Sequence, residues 1–269
     1  MIAPNPRMTD PSQTDASEPA RRRGIQSVEI GLRVLGALAA LDSAATLGAI
    51  AHASGMPASQ AHRYLVSLIA AGMAQQDPAT GRYDLGPAAL RLGLSALARI
   101  DAFRITDAAL TDFAERTGRT VQVAALGPLG PTIIRWAVGK PPVMTSFQIG
   151  SLLPLLSSAT GQAFLAFVPP VETDHLLAQE LAASTLSLSD VDAMRARVRQ
   201  AGFAHVDGAM IPGLRATAFP IFDLQARAIL TATALAPAHI ARKHEERTTA
   251  ELGGVCREIS RQLGWTGQG

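Results

Sequence analysis

Four polar side chains with helical spacing raise the first question of chemistry. Stepping about 100° per residue from Leu65 puts Gln60, Arg63 and Ser67 on the far side of one helix, with Ser59 and Ala70 flanking. Ala61, Leu68 and Ile69 fall beside Leu65, and His62 sits at the edge of that apolar face. Gln can pair bidentately with adenine, Arg with guanine or a phosphate, and small neighbours let a helix approach a major groove closely. A solvated surface helix would show the same face, so the flanking elements must decide between the two readings.

The remaining chemistry-bearing residues do not assemble in sequence. GxSxG, P-loop, GxGxxG, HExxH and CxxC patterns are all absent. Cys256 is the only cysteine, which excludes an intramolecular disulfide and a cysteine-rich zinc site. It reads as a small buried hydrophobe in the last helix. His239 and His244 flank a basic turn, His175 lies on a polar helix, and His205 on an apolar strand reads as a satisfied core histidine. Asp223 lies in a loop, where acids are routine. No catalytic residue, metal site or cofactor is expected.

The elements that must position the polar face can be read from caps and periodicity. Ser27 is an N-cap candidate for a first helix through Val28, Gly31, Leu32, Leu35, Leu38 and Ala39. Thr46 is a candidate cap for a second, Leu47 to Ala53. Ser54-Gly55-Met56-Pro57 is a turn, and the polar-faced helix follows from about Ala58 to Ala71, stopped by Gly72. Short strands on either side of Asp77-Pro78-Ala79-Thr80-Gly81 make a hairpin. Helix, helix–turn–helix, hairpin is the order of a winged helix–turn–helix, and that order favours the groove reading over solvation. A helix from Pro87 towards Arg99 carries Leu90, Leu94 and Leu97 on one stripe and fits a connector and dimer seam. A further helix runs from about Phe103 to Thr117.

Beyond Gly118 the period switches to that of strands, near 120–126, 132–137, 203–206, 214–221 and 228–235. Helices fit 159–167, 172–181, 190–201 and 245–263. Strands with interspersed helices make the second half an α+β domain. The predicted organisation is a disordered tail over 1–24, a winged helix–turn–helix over 25–86, a linker helix over 87–100 and an α+β domain over 101–269.

Composition supports this division. Hydrophobic residues are 48% of the chain, enough for two cores, and aromatic residues only 4%, so Ala, Leu, Val and Ile must build them. Residues 21–99 hold eight Arg against four acids, whereas residues 100–269 hold fifteen of each sign. A basic first module and a neutral second one suit a nucleic-acid-binding segment followed by a separate function. No apolar run reaches the ~18 residues of a membrane span, and the N-terminus lacks a signal-peptide core. A cytoplasmic location without membrane contact is expected.

The run SGMPASQAHRYLVSLIAAGMAQQDPATGRYDLG resembles the DNA-binding half of IclR-type bacterial transcription regulators. GSLLPLLSSATGQAFLAF resembles the loop and helix that begin the effector pocket of that family, and GFAHVDGAMIPGLRATAFPIFD the stretch that closes it. The three blocks stand in the right order across about Ser27 to Leu263. The resemblance implies a GAF-like effector-binding domain and a homodimer or homotetramer on a palindromic double-stranded DNA operator. It also implies a small organic or aromatic acid as effector. The expected DNA contacts are Ser59, Gln60, Arg63, Tyr64, Ser67 and Arg82. The effector pocket carried over by position comprises Leu153, Leu155, Ala159, Thr160, Leu214, Ala216, Thr233 and Leu235, with Asp207 nearby. Val206, Gly208, Ala209, Ala216 and Leu235 replace more polar residues of the pattern, so the pocket reads as less polar than that of a keto-acid binder. Arg135 and Arg215 are the candidates to pair with an acidic ligand, with solvent-facing roles equally open. The alternative is an enzyme acting on a small acid with an accessory winged-helix partner-binding module. A winged helix that binds protein instead of DNA is a third reading, which the outward Arg63 and the basic excess disfavour.

Overall fold

A computed structural model of the chain describes residues 25–97, 99 and 101–267. The tail expected over 1–24 lies outside the described residues. Two compact units divide between residues 99 and 100.

In the first unit, α1 (Gln26–Ala39), α2 (Leu47–Ser54) and α3 (Ala58–Ala70) surround Val34, Leu38, Ile50 and Leu65. Ser27 does not cap α1: the helix begins one residue earlier, with Ile25 in the cap position and no side-chain cap bond. Thr46 does cap α2, its side chain accepting from Ala49 N–H at 3.3 Å. Gly55 ends α2 at φ +67°, a left-handed conformation that L side chains rarely adopt, and so sets the turn between α2 and α3. The wing pairs β1 (Ala74–Gln76) with β2 (Tyr83–Leu85), and Ala45 exchanges two 2.8 Å backbone bonds with Tyr83 as a third rung. In the Asp77–Thr80 turn at the wing tip, Ala79 N–H and the Thr80 hydroxyl donate to the Asp77 carboxylate, both at 2.8 Å. These bonds hold the Asp77 carboxyl below its ordinary value, the Ala79 N–H first. Next comes α4 (Pro87–Leu97), with Leu90 and Leu94 exposed.

The second unit is a five-stranded antiparallel sheet of order β4-β3-β7-β6-β5 with helices on both faces. Its strands are β3 (Val121–Gly127), β4 (Gly130–Ala137), β5 (Ala204–Asp207), β6 (Leu214–Phe222) and β7 (Ala228–Pro237). Alternation along each strand separates the two faces. Val121, Val123, Phe219, Ile221, Ala232 and Ala234 pack under α5 (Ala102–Thr117) and α9 (Arg242–Gln262). Ala124, Ala216 and Ala218 face α6 (Ala159–Phe167), with α7 (Pro170–Ala182) and α8 (Leu188–Ala201) packed beyond it. Side-chain caps start α5, α6 and α8, at Asp101, Ser158 and Ser187. His205 is exposed, with Nδ1 2.8 Å from the Thr217 hydroxyl, because β5 is an edge strand and leaves that side open. It is therefore not a core histidine.

Candidate functional site

The outward face of α3 is built as its spacing requires. Leu65 and Ala61 are fully buried, which turns Ser59, Gln60, Arg63 and Ser67 outward, all exposed. The Ser67 hydroxyl donates back to Arg63 C=O at 3.3 Å, so it is partly engaged within the helix. Tyr64 stands apart from this face: it is half-buried, packed on the core of the first unit beside α1. One helical step of 100° from Leu65 directs it at α1 and not outward. Arg82 is exposed in the wing, and its Nη1 donates to Ala44 C=O at 3.0 Å, tying the wing to the segment before α2. The wing and α3 thus offer Gln60, Arg63 and Arg82 as long polar side chains, with no metal-binding cluster among the described residues.

In the second unit, a small cavity of about 40 Å³ lies where α6 begins against the sheet. Seven residues expected there line it: Leu153, Ala159, Thr160, Leu214, Ala216, Thr233 and Leu235. Strand pairing brings them together, since Ala216 lies opposite Leu235 and Thr233 opposite Gln122. Gln122 Nε2 donates to the Thr160 hydroxyl at 3.1 Å, and the Thr160 and Thr233 hydroxyls are 2.8 Å apart, making a buried polar chain along one wall. Ser158 caps α6 by accepting from Gly161 N–H at 2.8 Å. The N–H groups of Ala159 and Thr160, in the first turn, have no intrahelical acceptor. Gly161 is what lets the helix start so close to the preceding loop: a Cβ there would stand 2.2 Å from Pro154 C=O. The α7 carboxylate of Glu180 fixes that loop by accepting from Leu155 N–H at 2.6 Å and Leu156 N–H at 2.9 Å.

Leu155 and Asp207 do not line this cavity. Leu155 is fully buried in the core around α6, α7 and α8. Asp207 is exposed and accepts from Arg242 of α9 at 3.0 Å. Neither arginine proposed as an acid partner reaches the cavity. Arg135 is held by Asp107 at 2.5 and 3.2 Å on the α5 side. Arg215 is buried on the α9 face, where Nε donates to Glu245 at 2.6 Å and Nη2 to Ile240 C=O at 2.7 Å. Arg215 neighbours Ala216, and adjacent strand residues point to opposite faces, so both cannot line one pocket. The same rule separates Asp207 from Val206, which does line it. No charged side chain is among the lining residues, whose polar side chains are Gln122, Thr145, Ser158, Thr160 and Thr233. Phe147, Met210 and Ile211 line the cavity from loops; Met210 and Ile211 fall within the block that resembles the closing stretch of the family's pocket, whereas Phe147 carried no local signal in the sequence.

A winged helix–turn–helix joined to a helix-flanked sheet with a cavity at a helix start defines a regulator that binds DNA and responds to a ligand. The comparisons give the family. The description "IclR helix-turn-helix domain" matches residues 27–78, and "Bacterial transcriptional regulator IclR C-terminal" matches residues 94–265. The chain is 30% identical to the HTH-type transcriptional regulator BhcR of Paracoccus denitrificans over 210 residues, 76% of this chain and 75% of that protein. It is 27% identical to the transcriptional repressor IclR of Escherichia coli over 270 residues, 98% and 97% of the two chains. The crystal structure of Pseudomonas aeruginosa HmgR superposes with a TM-score of 0.76 at 35% identity, covering 91% of this chain and all of that one. The chain belongs to the IclR family of bacterial transcriptional regulators. No helix among the described residues is long and apolar enough to cross a membrane.

Proposed function

We propose that this regulator, acting as a cytoplasmic homo-oligomer and not as an enzyme, reads a palindromic operator through α3 and senses a small organic acid in the cavity at the start of α6. The observation that carries the sensing half is a helix start, whose first-turn N–H groups have no intrahelical acceptor, set beside a buried polar chain in a largely apolar lining. Helix N-termini favour anions, so a carboxylate fits at Ala159 and Thr160 with its aliphatic or aromatic body against Leu153, Leu214 and Leu235. Drug-sized ligands occupy roughly 300–1,000 Å³. A cavity of about 40 Å³ must therefore open at Phe147, Met210 and Ile211 for any but the smallest acid. That opening gives the ligand a conformational state to select, and through it a change in operator affinity.

Dimerisation is supported by the first unit, where α1 exposes Val28 and Leu32 and α4 exposes Leu90 and Leu94. Apolar stripes on two helices of a small module are the material of a two-fold interface. Footprinting of the DNA upstream of the gene, with and without a panel of small carboxylates, tests the reading. Protection of two half-sites that one acid weakens or strengthens is expected. A single asymmetric footprint indifferent to every acid would count against it.

A further inference from the structure

The second unit holds a more spacious cavity than the one at the start of α6. A cavity of about 660 Å³ lies between the end of α6, the β6–β7 turn and the end of α9. It falls within the roughly 300–1,000 Å³ that small-molecule sites occupy. Three aromatic rings form one wall. Phe167 meets Phe222 edge-on with centroids 5.4 Å apart, and Phe222 meets Trp265 at 4.9 Å and 32°. The sequence holds only twelve aromatic residues, so this concentration is pronounced. All three rings are half-buried, and Trp265 Nε1 is a buried donor with no partner among the described residues.

Arg199, Arg227 and Arg257 also line this cavity, all exposed, and no carboxylate does. Arg199 Nε is anchored on Ala166 C=O at 2.7 Å. Arg227 meets Glu172 at 3.3 Å and sits on a turn fixed by the Asp223 carboxylate, which accepts from Arg227 N–H at 3.0 Å. Arg257, on α9, has no ion-pair partner among the described residues. A half-buried aromatic wall and an arginine rim recognise one chemistry: a planar ring that stacks, carrying an anionic group that guanidinium forks hold.

We propose that this cavity is a second ligand site, separate from the one at α6 and selective for aromatic carboxylates. Phe222 and Trp265 stack the ring, and Arg257 and Arg227 bind the carboxylate. The full-length protein with Trp136→Phe retains Trp265 as its sole tryptophan and reports on the site directly. Titration with 1-naphthoate is expected to quench Trp265 emission saturably. Arg257→Gln should weaken that binding about ten-fold, the loss of one charge-assisted contact. Arg227→Gln, on a different element, should weaken it in the same direction and keeps the test readable if the α9 variant is unstable. Ala159→Leu, which fills the α6 cavity, should leave the quenching unchanged even where it removes a response to a smaller acid, so the two sites succeed or fail separately. Absence of saturable quenching, affinity unchanged from the parent in both arginine variants, or loss of quenching in Ala159→Leu would overturn the proposal. Affinity that falls as protein concentration rises would assign the cavity to a second copy of the chain and overturn it too.

Discussion

Glu245→Gln removes the one anion beside two buried cations. Arg215 is 5% exposed and Arg119 8%, and burial already lowers the Arg119 pKa, opposed by the Glu245 charge. In the parent, Arg215 Nε donates to the Glu245 carboxylate at 2.6 Å, joining β6 to the first turn of α9. Breaking a buried pair from one side costs about 3–5 kcal/mol, because the remaining charge has no counter-ion. Arg215 keeps its bonds to Ala238 and Ile240 C=O, which places the expected loss at the lower end, about 3 kcal/mol. For a domain of this size, 1 kcal/mol corresponds to about 2–4 °C, so the second unit should melt about 6–12 °C lower. Urea unfolding followed by far-UV circular dichroism gives the free energy directly. The double variant Arg215→Met with Glu245→Leu should recover the part of the loss that comes from Arg215, since a hydrophobic pair carries no desolvation cost, but not the part from Arg119, which stays buried without its anion. A loss below about 1 kcal/mol for Glu245→Gln would refute the reasoning and mean that water reaches the pair as it reaches a surface ion pair.

Three further outcomes follow from the same geometry. Arg63→Ala should keep the parent melting curve and weaken operator binding, by about 1–3 kcal/mol of base discrimination if Arg63 meets a guanine, or with a salt slope smaller by about one if it meets a phosphate. Fluorescence anisotropy at several salt concentrations separates these, and unchanged binding would remove α3 from the reading role. Leu65→Ala should cost about 2–5 kcal/mol through lost burial and a cavity, because Leu65 is fully buried between α1 and the wing. A thermal melt equal to that of the parent would contradict the packing of α3. Burial pushes the Cys256 thiol up to about 12, so it should resist thiol reagents at pH 8 in the folded protein. The unfolded thiol ionises from about pH 9, so stability from this group is intact below that and falls by about 1.4 kcal/mol per pH unit between there and about pH 12. Rapid labelling of the native thiol at pH 8 would contradict its burial.

The boundaries of α2, α3, α5 and α6 were legible in the sequence because caps and glycines mark them and the period changes from helix to strand beyond Gly118. The start of α1 was not: Ser27 has the right chemistry for a cap, but the helix gains two residues through Ile25 C=O, which accepts from Val28 and Glu29 N–H. Period-two alternation on β6 was present in the sequence and already separates Arg215 from Ala216. The Glu245 carboxylate that binds Arg215 lies thirty residues away, beyond any local pattern. Gln122 illustrates a different gap. It reads as an ordinary polar strand residue until the β3–β7 register sets it opposite Thr233 and within reach of Thr160. Phe147, Met210 and Ile211 belong to loops, whose positions depend on the assembled sheet. Tyr64 combines aromatic and polar features in one side chain, and its packing beside α1 leaves it half-buried.

The most direct test of the account couples the two units in one titration. Anisotropy of a labelled upstream DNA fragment is followed in the full-length parent and in Ala159→Trp while small aliphatic and aromatic carboxylates are added. At least one acid should shift operator affinity in the parent by about 5–150-fold, the usual range of an allosteric coupling. Ala159→Trp should bind the fragment as the parent does and lose that response, because an indole fills the space at the start of α6. A variant that binds DNA and responds to the acid like the parent would contradict the claim that this cavity is where the ligand acts.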